Sequence, residues 1–296
     1  MSTSASHRTW IGFLACSAAL YVVTLVGGEE PQRPRDNLKE PVFRVTKRIE
    51  PDERVATHPL DPALEMAKGG LARIRRDVND YTSLIVKQER IGGELMPTEH
   101  IRAEIRNGKV VNGKITQNFS VYLKFVSPDA IAGRQVIYVA NKNKNKLVGR
   151  EAKGFKKTFG WTWLKPEGIL AMQGQRYPIT EIGIENLIVQ LIDRGQRDKR
   201  NDPEGKYTSV RFVEGAKING RRCTVLEVTH PEKKPYFDFN IARIFIDDQM
   251  QLPVRYAAYS WPVKPNGPPQ LEEAYTYLDM KVNVGLNDAA FDHKLR

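Results

Sequence analysis

Cysteine is nearly missing from this chain: two residues in 296, Cys16 and Cys223. Cys16 sits in an apolar N-terminal stretch, so the remainder holds one thiol and no disulfide framework is available to it. Cys223, inside a predicted strand, reads as a small buried hydrophobe. Histidine is scarce too, with five residues. His-Glu-x-x-His, Cys-x-x-Cys, Gly-x-Ser-x-Gly and a phosphate-cradling glycine loop are all lacking. The usual signatures of zinc, serine-hydrolase and nucleotide chemistry are therefore absent, and neither metal nor cofactor is implied. His58, His100, His230 and His293 read as surface residues. Asp247-Asp248 places two carboxylates side by side, but adjacent strand residues face opposite ways and aspartate favours turns. Glu227, Glu272 and Glu273 are acids on strands with no partner identifiable from spacing. No catalytic constellation emerges, and the chain reads as a non-enzyme.

Charge is absent between Thr9 and Gly28, a run that follows Arg8 and contains Trp10, Phe13, Leu14, Leu20, Val22, Val23 and Leu25. A basic residue and an apolar stretch at the chain start read as an export signal. The run also approaches the ~20 residues that span a bilayer. It is therefore either a cleaved signal, with Val26-Gly27-Gly28 offering small residues to a peptidase, or a retained inner-membrane anchor. Leu14-Ala15-Cys16 has a lipobox-like look, although the apolar run continues well past it. Export places the rest of the chain in the periplasm or cell envelope. Glu29 to Leu60 is rich in charge and carries Pro31, Pro34, Pro41, Pro51 and Pro59. Such a composition buries too little apolar surface to order itself, so residues 29–60 read as a linker.

The formal charge is +11. Its densest run is Lys142, Lys144 and Lys146, continuing through Arg150, Lys153, Lys156 and Lys157. Outside the cytoplasm, basic surface points to anionic headgroups or envelope polyanions ahead of nucleic acid. The same run also fits a solvated hairpin tip.

The third segment, residues 61–296, opens with a helix. Asp61 suits its cap and Pro62 its first turn. Leu64, Ala67, Leu71, Ile74 and Val78 recur at helical spacing. A second helix is predicted over Thr180–Arg194, capped by Thr180 and stopped by Gly195, with Ile184, Leu187, Ile188, Leu191 and Ile192 buried. The rest alternates as strands, punctuated by the turn dipeptides Asn112-Gly113 and Asn219-Gly220. In Ala242–Tyr256, Ile244 and Ile246 alternate with Arg243, Phe245 and Asp247. The chain then turns and re-enters behind Leu252-Pro253. Proline lacks a ladder donor, so Pro253 fits a strand start or an edge. About ten antiparallel strands without a βαβ rhythm give an α+β fold.

The "Ile-Phe-Ile-Asp…Leu-Pro-Val-Arg-Tyr" hairpin at 244–256 and the ending "Val-Asn-Val-Gly-Leu-Asn-Asp-Ala-Ala-Phe" at 282–291 carry a resemblance. With the order of signal, helix, meander and inserted helix, Tyr81–Phe291 resembles the LolA-like superfamily of periplasmic lipoprotein carriers and envelope-stress sensors. Within it the chain is most similar to an uncharacterised bacterial family, domain of unknown function 1571. The resemblance implies a large curved antiparallel sheet, a half-barrel, wrapped over a few helices with an apolar cavity between. The carriers' cavity arginine has no identifiable counterpart.

Aromatic residues give the expected site. Trp161 and Trp163 are two apart and share a strand face. With Phe125, Tyr138 and Tyr256 they are expected to line an apolar cavity, while Lys142, Lys144, Lys146 and Arg150 contact a headgroup. The partner would be a lipid or lipidated protein, and the lysines would meet an anionic membrane surface. The rings also fit a plain sheet-on-helix core. The second reading is then a membrane-tethered interaction or stress-sensing module with no ligand cavity.

Overall fold

The computed structural model describes residues 58–296 and a two-residue strand at 48–49. The N-terminal apolar stretch, Cys16 and most of the expected linker lie outside the described residues. In chain order the elements are β1 (Arg48–Ile49), α1 (Asp61–Asp77), β2 (Asp80–Ile91), β3 (Glu94–Leu95), β4 (Glu99–Arg106), β5 (Lys109–Val111), β6 (Lys114–Gln117), β7 (Ser120–Ser127), β8 (Gln135–Val139), β9 (Leu147–Arg150), β10 (Thr162–Leu164), α2 (Ile169–Met172), α3 (Ile184–Asn201), β11 (Ser209–Ile218), β12 (Arg221–Thr229), β13 (Ile241–Asp247), β14 (Pro253–Ser260) and β15 (Gln270–Val282). Among the described residues no helix is long and apolar enough to cross a membrane.

One antiparallel sheet of 13 strands runs β1-β11-β12-β13-β14-β15-β2-β4-β7-β8-β9-β10, with β3 paired to β2. The ends do not meet, so the sheet is open. Its curvature follows from what the helices touch. Twelve strands at about 4.8 Å spacing would span roughly 50 Å if flat, far more than two helices of about 10 Å diameter can cover. Yet α3 packs its Ile184, Ile188 and Ile192 among Ile101, Val121 and Phe125 of one half. Leu187 and Leu191 pack with Leu226, Val228 and Ile244 of the other. The sheet wraps the helices, as the resemblance implied.

Strand alternation assigns the faces. On β12, Leu226 and Val228 face the helices while Cys223 and Val225 pack with Phe245 and Val254 on the other side. On β7, Leu123 and Phe125 face inward and Tyr122 faces out, where Phe291 of the C-terminal segment covers it. Pro253 starts β14 opposite Ile246, at a register shift. It is a strand start, as expected, but within the sheet interior, because the bulge spares it a ladder bond.

Both helices differ from expectation at their ends. Asp61 lies one residue inside α1, whose cap position is Leu60; the Asp61 carboxylate accepts the His58 N–H at 3.1 Å. Thr180 sits in a separate 3-10 turn, and α3 starts after Gly183. There the buried Tyr81 hydroxyl accepts the Ile184 N–H at 2.9 Å. Gly183 is at φ +107°, and a Cβ would lie 2.9 Å from that hydroxyl, so glycine is needed. Gly195 does not stop the helix; α3 continues to Asn201. A Cβ on Gly195 would come within 3.0 Å of Leu64 Cδ2. The glycine serves close helix–helix approach instead of termination.

Two contacts with the folded part lie N-terminal to α1. His58 is buried, accepts the Leu60 N–H at 3.0 Å through Nδ1 and meets Asp202 O at 2.7 Å through Nε2. Arg48 and Ile49 pair with Val213 and Phe212. His100 and His230 are buried as well, contrary to the surface reading. His100 Nδ1 meets Ser127 Oγ at 2.7 Å, and the His230 ring stacks on Phe237 at 3.7 Å.

Candidate functional site

Under the curved sheet the side chains leave a hollow of about 810 Å³, within the roughly 300–1,000 Å³ typical of small-molecule sites. Its walls come from every second residue of successive strands. β2 supplies Ile85, Lys87 and Glu89; β4 supplies Glu99 and Ile101; β7 supplies Leu123 and Phe125; β15 supplies Glu273, Tyr275 and Tyr277. The facing wall is Leu164 of β10 and the connection from β10 to α3, with Tyr177, Ile179 and Ile182, followed by Leu187 and Leu191 of α3. Phe159 and Leu170 belong to the lining and are themselves largely exposed, so the hollow reaches the surface there. A second cavity of about 450 Å³ lies on the other side of α3, between α1 and strands β12 to β14. Leu191 and Arg194 line both cavities.

One side of the larger cavity is polar. Glu89 and Glu273 are directly opposite on β2 and β15, both buried. Like charges so placed repel, and neighbours offset this. The Tyr275 hydroxyl donates to Glu89 at 2.5 Å and sits 3.4 Å from Glu273. The Arg176 amide donates to Glu89 at 3.0 Å, and Lys87 Nζ lies 3.4 Å from Glu89 and 3.0 Å from Glu99. Glu273 is approached by Arg176 at 3.3 Å and Arg194 at 3.7 Å, and accepts from the Tyr256 hydroxyl at 3.1 Å. Arg194 in turn donates to the Tyr256 oxygen at 2.7 Å. Burial, then the Glu273 charge, pushes both phenols far up, so they remain neutral donors. Burial works against the Arg194 charge, but Tyr256 and Glu273 outweigh it and its pKa is raised. The cluster is a charge network holding α3 and the 173–178 segment to the sheet. It presents no nucleophile paired with a base.

The sequence-derived site residues separate into two groups. Phe125, Tyr256 and Arg150 line the cavity. Trp161 and Trp163 do not: on β10 and its approach it is Thr162 and Leu164 that face inward. The two indoles share a face, as expected, but it is the outer one, where they meet the His293 ring edge-on at 5.8 and 5.3 Å. Tyr138 is buried beside Phe119, ring centroids 6.3 Å apart, outside the cavity wall. Lys142, Lys144 and Lys146 sit on the β8–β9 turn, also away from the cavity; Lys142 pairs with Asp288 at 3.1 Å. Arg150 lies 4.7 Å over the Trp161 ring.

Sequence reasoning missed Glu89, Glu273, Arg176 and Arg194. A signal existed for two of them: Glu273 has the same parity as Tyr275 and Tyr277, and Glu89 the same as Ile85. An acid at an inward parity demands a buried cation. Glu227, without a partner identifiable from spacing, is buried between Arg211 at 2.6 Å and Arg243 at 2.7 Å on the outer face. Asp247 is a turn former, accepting the Gln249 and Met250 N–H groups at 2.9 and 2.8 Å. Among the described residues no group of three or more His, Cys, Asp or Glu is placed to hold a metal.

The model of the family described as "Protein of unknown function (DUF1571)" matches residues 78–295. No curated protein matches the chain. Similar solved structures include a DUF1329 family protein from Desulfovibrio piger, with 14% identity over 80% of this chain and 99% of that one, TM-score 0.35. The MucA/MucB complex of Pseudomonas aeruginosa matches at 13% identity, 78% of this chain and 60% of that one, TM-score 0.42. A LolA superfamily protein from Nitrosomonas europaea matches at 11%, 77% and 97%, TM-score 0.30.

Proposed function

The chain belongs to the family described as "Protein of unknown function (DUF1571)", and we propose that it is a non-enzymatic, exported cell-envelope protein that holds an amphiphile, either a lipid or a lipidated protein. The observation that carries this reading is the cavity of about 810 Å³, apolar over most of its wall and reaching the surface beside Phe159 and Leu170. Burying an acyl chain there would gain on the order of 10 kcal/mol at ~0.8 kcal/mol per methylene, before the costs of association. No reactive group is needed. Export and tethering rest on the uncharged run Thr9–Gly28, and the division into residues 1–28, 29–60 and 61–296 rests on composition. The folded part is best drawn from His58 onward, given its buried contacts.

Phe125 and Tyr256 are the aromatic lining we retain, with Leu123, Leu164 and Ile179 added. An anionic headgroup would meet Arg134, which lies 5.5 Å over the Phe125 ring and pairs with Glu151 at 2.9 Å; Arg150, turned toward the Trp161 ring, would have to swing inward to join it. Uptake of a fluorescent fatty acid tests the reading. Ile179→Glu, which puts a carboxylate into the cavity wall, should weaken uptake at least about tenfold, since an unpaired buried charge costs several kcal/mol. Trp163→Glu, on the outer face, should leave it unchanged. Equal uptake by wild type and Ile179→Glu, or no uptake by either, overturns the reading.

A further inference from the structure

Between β9 and α3 the chain turns large apolar side chains toward solvent. Phe155 is 79% exposed, Phe159 64%, Ile169 91% and Leu170 69%. Single exposed apolar residues are ordinary; these form two pairs on one segment. Phe155 and Phe159 meet edge to face at 5.4 Å, and Ile169 and Leu170 are neighbours on α2. Over residues 153–171 the same segment carries exposed Lys153, Lys157 and Lys165, against one exposed acid, Glu167. Phe159 and Leu170 also belong to the cavity lining, so the outward patch is continuous with the hollow.

We propose that this segment docks the protein on an anionic lipid bilayer, with Phe155, Phe159, Ile169 and Leu170 entering the boundary between headgroups and acyl chains. Lys153, Lys157 and Lys165 would be held by the anionic headgroups. Apolar side chains flanked by lysines are the arrangement that interfacial insertion uses, apolar area and electrostatic attraction acting together. The location favours this occupant. A cavity whose mouth lies against the bilayer exchanges hydrocarbon without passing it through water, a clause that rests on the amphiphile reading; the docking itself does not. The lysines of the β8–β9 turn are a separate surface, tied through Lys142 to Asp288.

The full chain with its N-terminal run can hold to vesicles by that run alone, so the readout must be local. Hydrogen exchange of peptides covering 153–171 is measured with phosphatidylcholine vesicles containing or lacking phosphatidylglycerol. Exchange should slow at least about tenfold with the anionic vesicles, and the slowing should fade in 1 M salt, where the screening length is only about 3 Å. It should also be absent in Phe155→Ser/Ile169→Ser, neither of which lines the cavity; that variant should still take up the fluorescent fatty acid. A cooperative melt at the wild-type temperature checks its fold, and Lys153→Glu/Lys157→Glu provides a second variant with the same expectation. Unchanged exchange on anionic vesicles overturns the proposal, as does equal protection in both variants. A wild-type dimer that the variants dissociate would assign the patch to a second copy and also overturn it. Loss of fatty-acid uptake with docking intact would count against the amphiphile reading alone.

Discussion

Glu273 is a buried charge at the centre of the cavity's polar side, and replacing it by leucine tests the energetics. Its carboxylate is 3% exposed and serves Arg176, Arg194 and the hydroxyls of Tyr256 and Tyr275. Glu273→Leu removes the charge but leaves Arg194, itself only 17% exposed and with the half-exposed Asp238 as its remaining carboxylate, and the Tyr256 hydroxyl without its acceptor. Removing one partner of a buried ion pair costs about 3–5 kcal/mol, a large share of the roughly 5–15 kcal/mol that holds a domain together. At about 2–4 °C per kcal/mol for a domain of this size, the melting temperature should fall by roughly 6–20 °C. Glu227 supplies the control. It is as buried, but of its two partners Arg211 is 56% exposed and can return to water, while Arg243, 18% exposed, keeps its place 5.3 Å over the Tyr259 ring, so Glu227→Leu should cost less, about 1.5–3 kcal/mol. Urea unfolding of both variants, with calorimetry, measures the difference. A Glu273→Leu protein as stable as wild type, or less affected than Glu227→Leu, would refute the network's role in fastening α3 to the sheet.

The helix glycines separate propensity from packing. A Cβ at Gly69 meets nothing within 4 Å, so Gly69→Ala should stabilise by about 1 kcal/mol; Gly195→Leu should instead destabilise by about 1–3 kcal/mol by driving α3 off Leu64. Chemical-denaturation midpoints decide both. Asp247 supplies a pH test. Burial raises its pKa, but Arg221 and the Gln249 and Met250 N–H groups prevail and hold it below the usual carboxylate range. A depressed folded-state value adds stability above the unfolded pKa of about 3.9, and that stability disappears as pH falls through the folded value. Asp247→Asn should therefore be less stable than wild type at neutral pH, with the gap closing on acidification; a gap independent of pH would contradict this.

Alternation and turn chemistry made the sheet legible from sequence: the strand pattern, the Asn112-Gly113 and Asn219-Gly220 turns and the Asp247 turn all follow local rules. The inner or outer parity of a short strand does not. The spacing of Trp161 and Trp163 puts both on one face but does not say which, because size alone does not tell a cavity wall from an outer face that the His293 segment covers. Gly195 carries a helix-stop signal that tertiary packing overrides, since Leu64 needs the space. His58 and His230 were unreadable for a related reason. Their partners, Asp202 O for one and the Phe237 ring for the other, are supplied only once the chain has folded.

A protein that holds an amphiphile must have the hollow beneath its sheet occupied in the cell. Full-length protein isolated from the envelope of its native cells, extracted with organic solvent and analysed by mass spectrometry, addresses that directly. The prediction is one amphiphile per chain, lost from protein carrying Ile179→Glu and retained by protein carrying Trp163→Glu. Folded protein that yields no extractable amphiphile would contradict it.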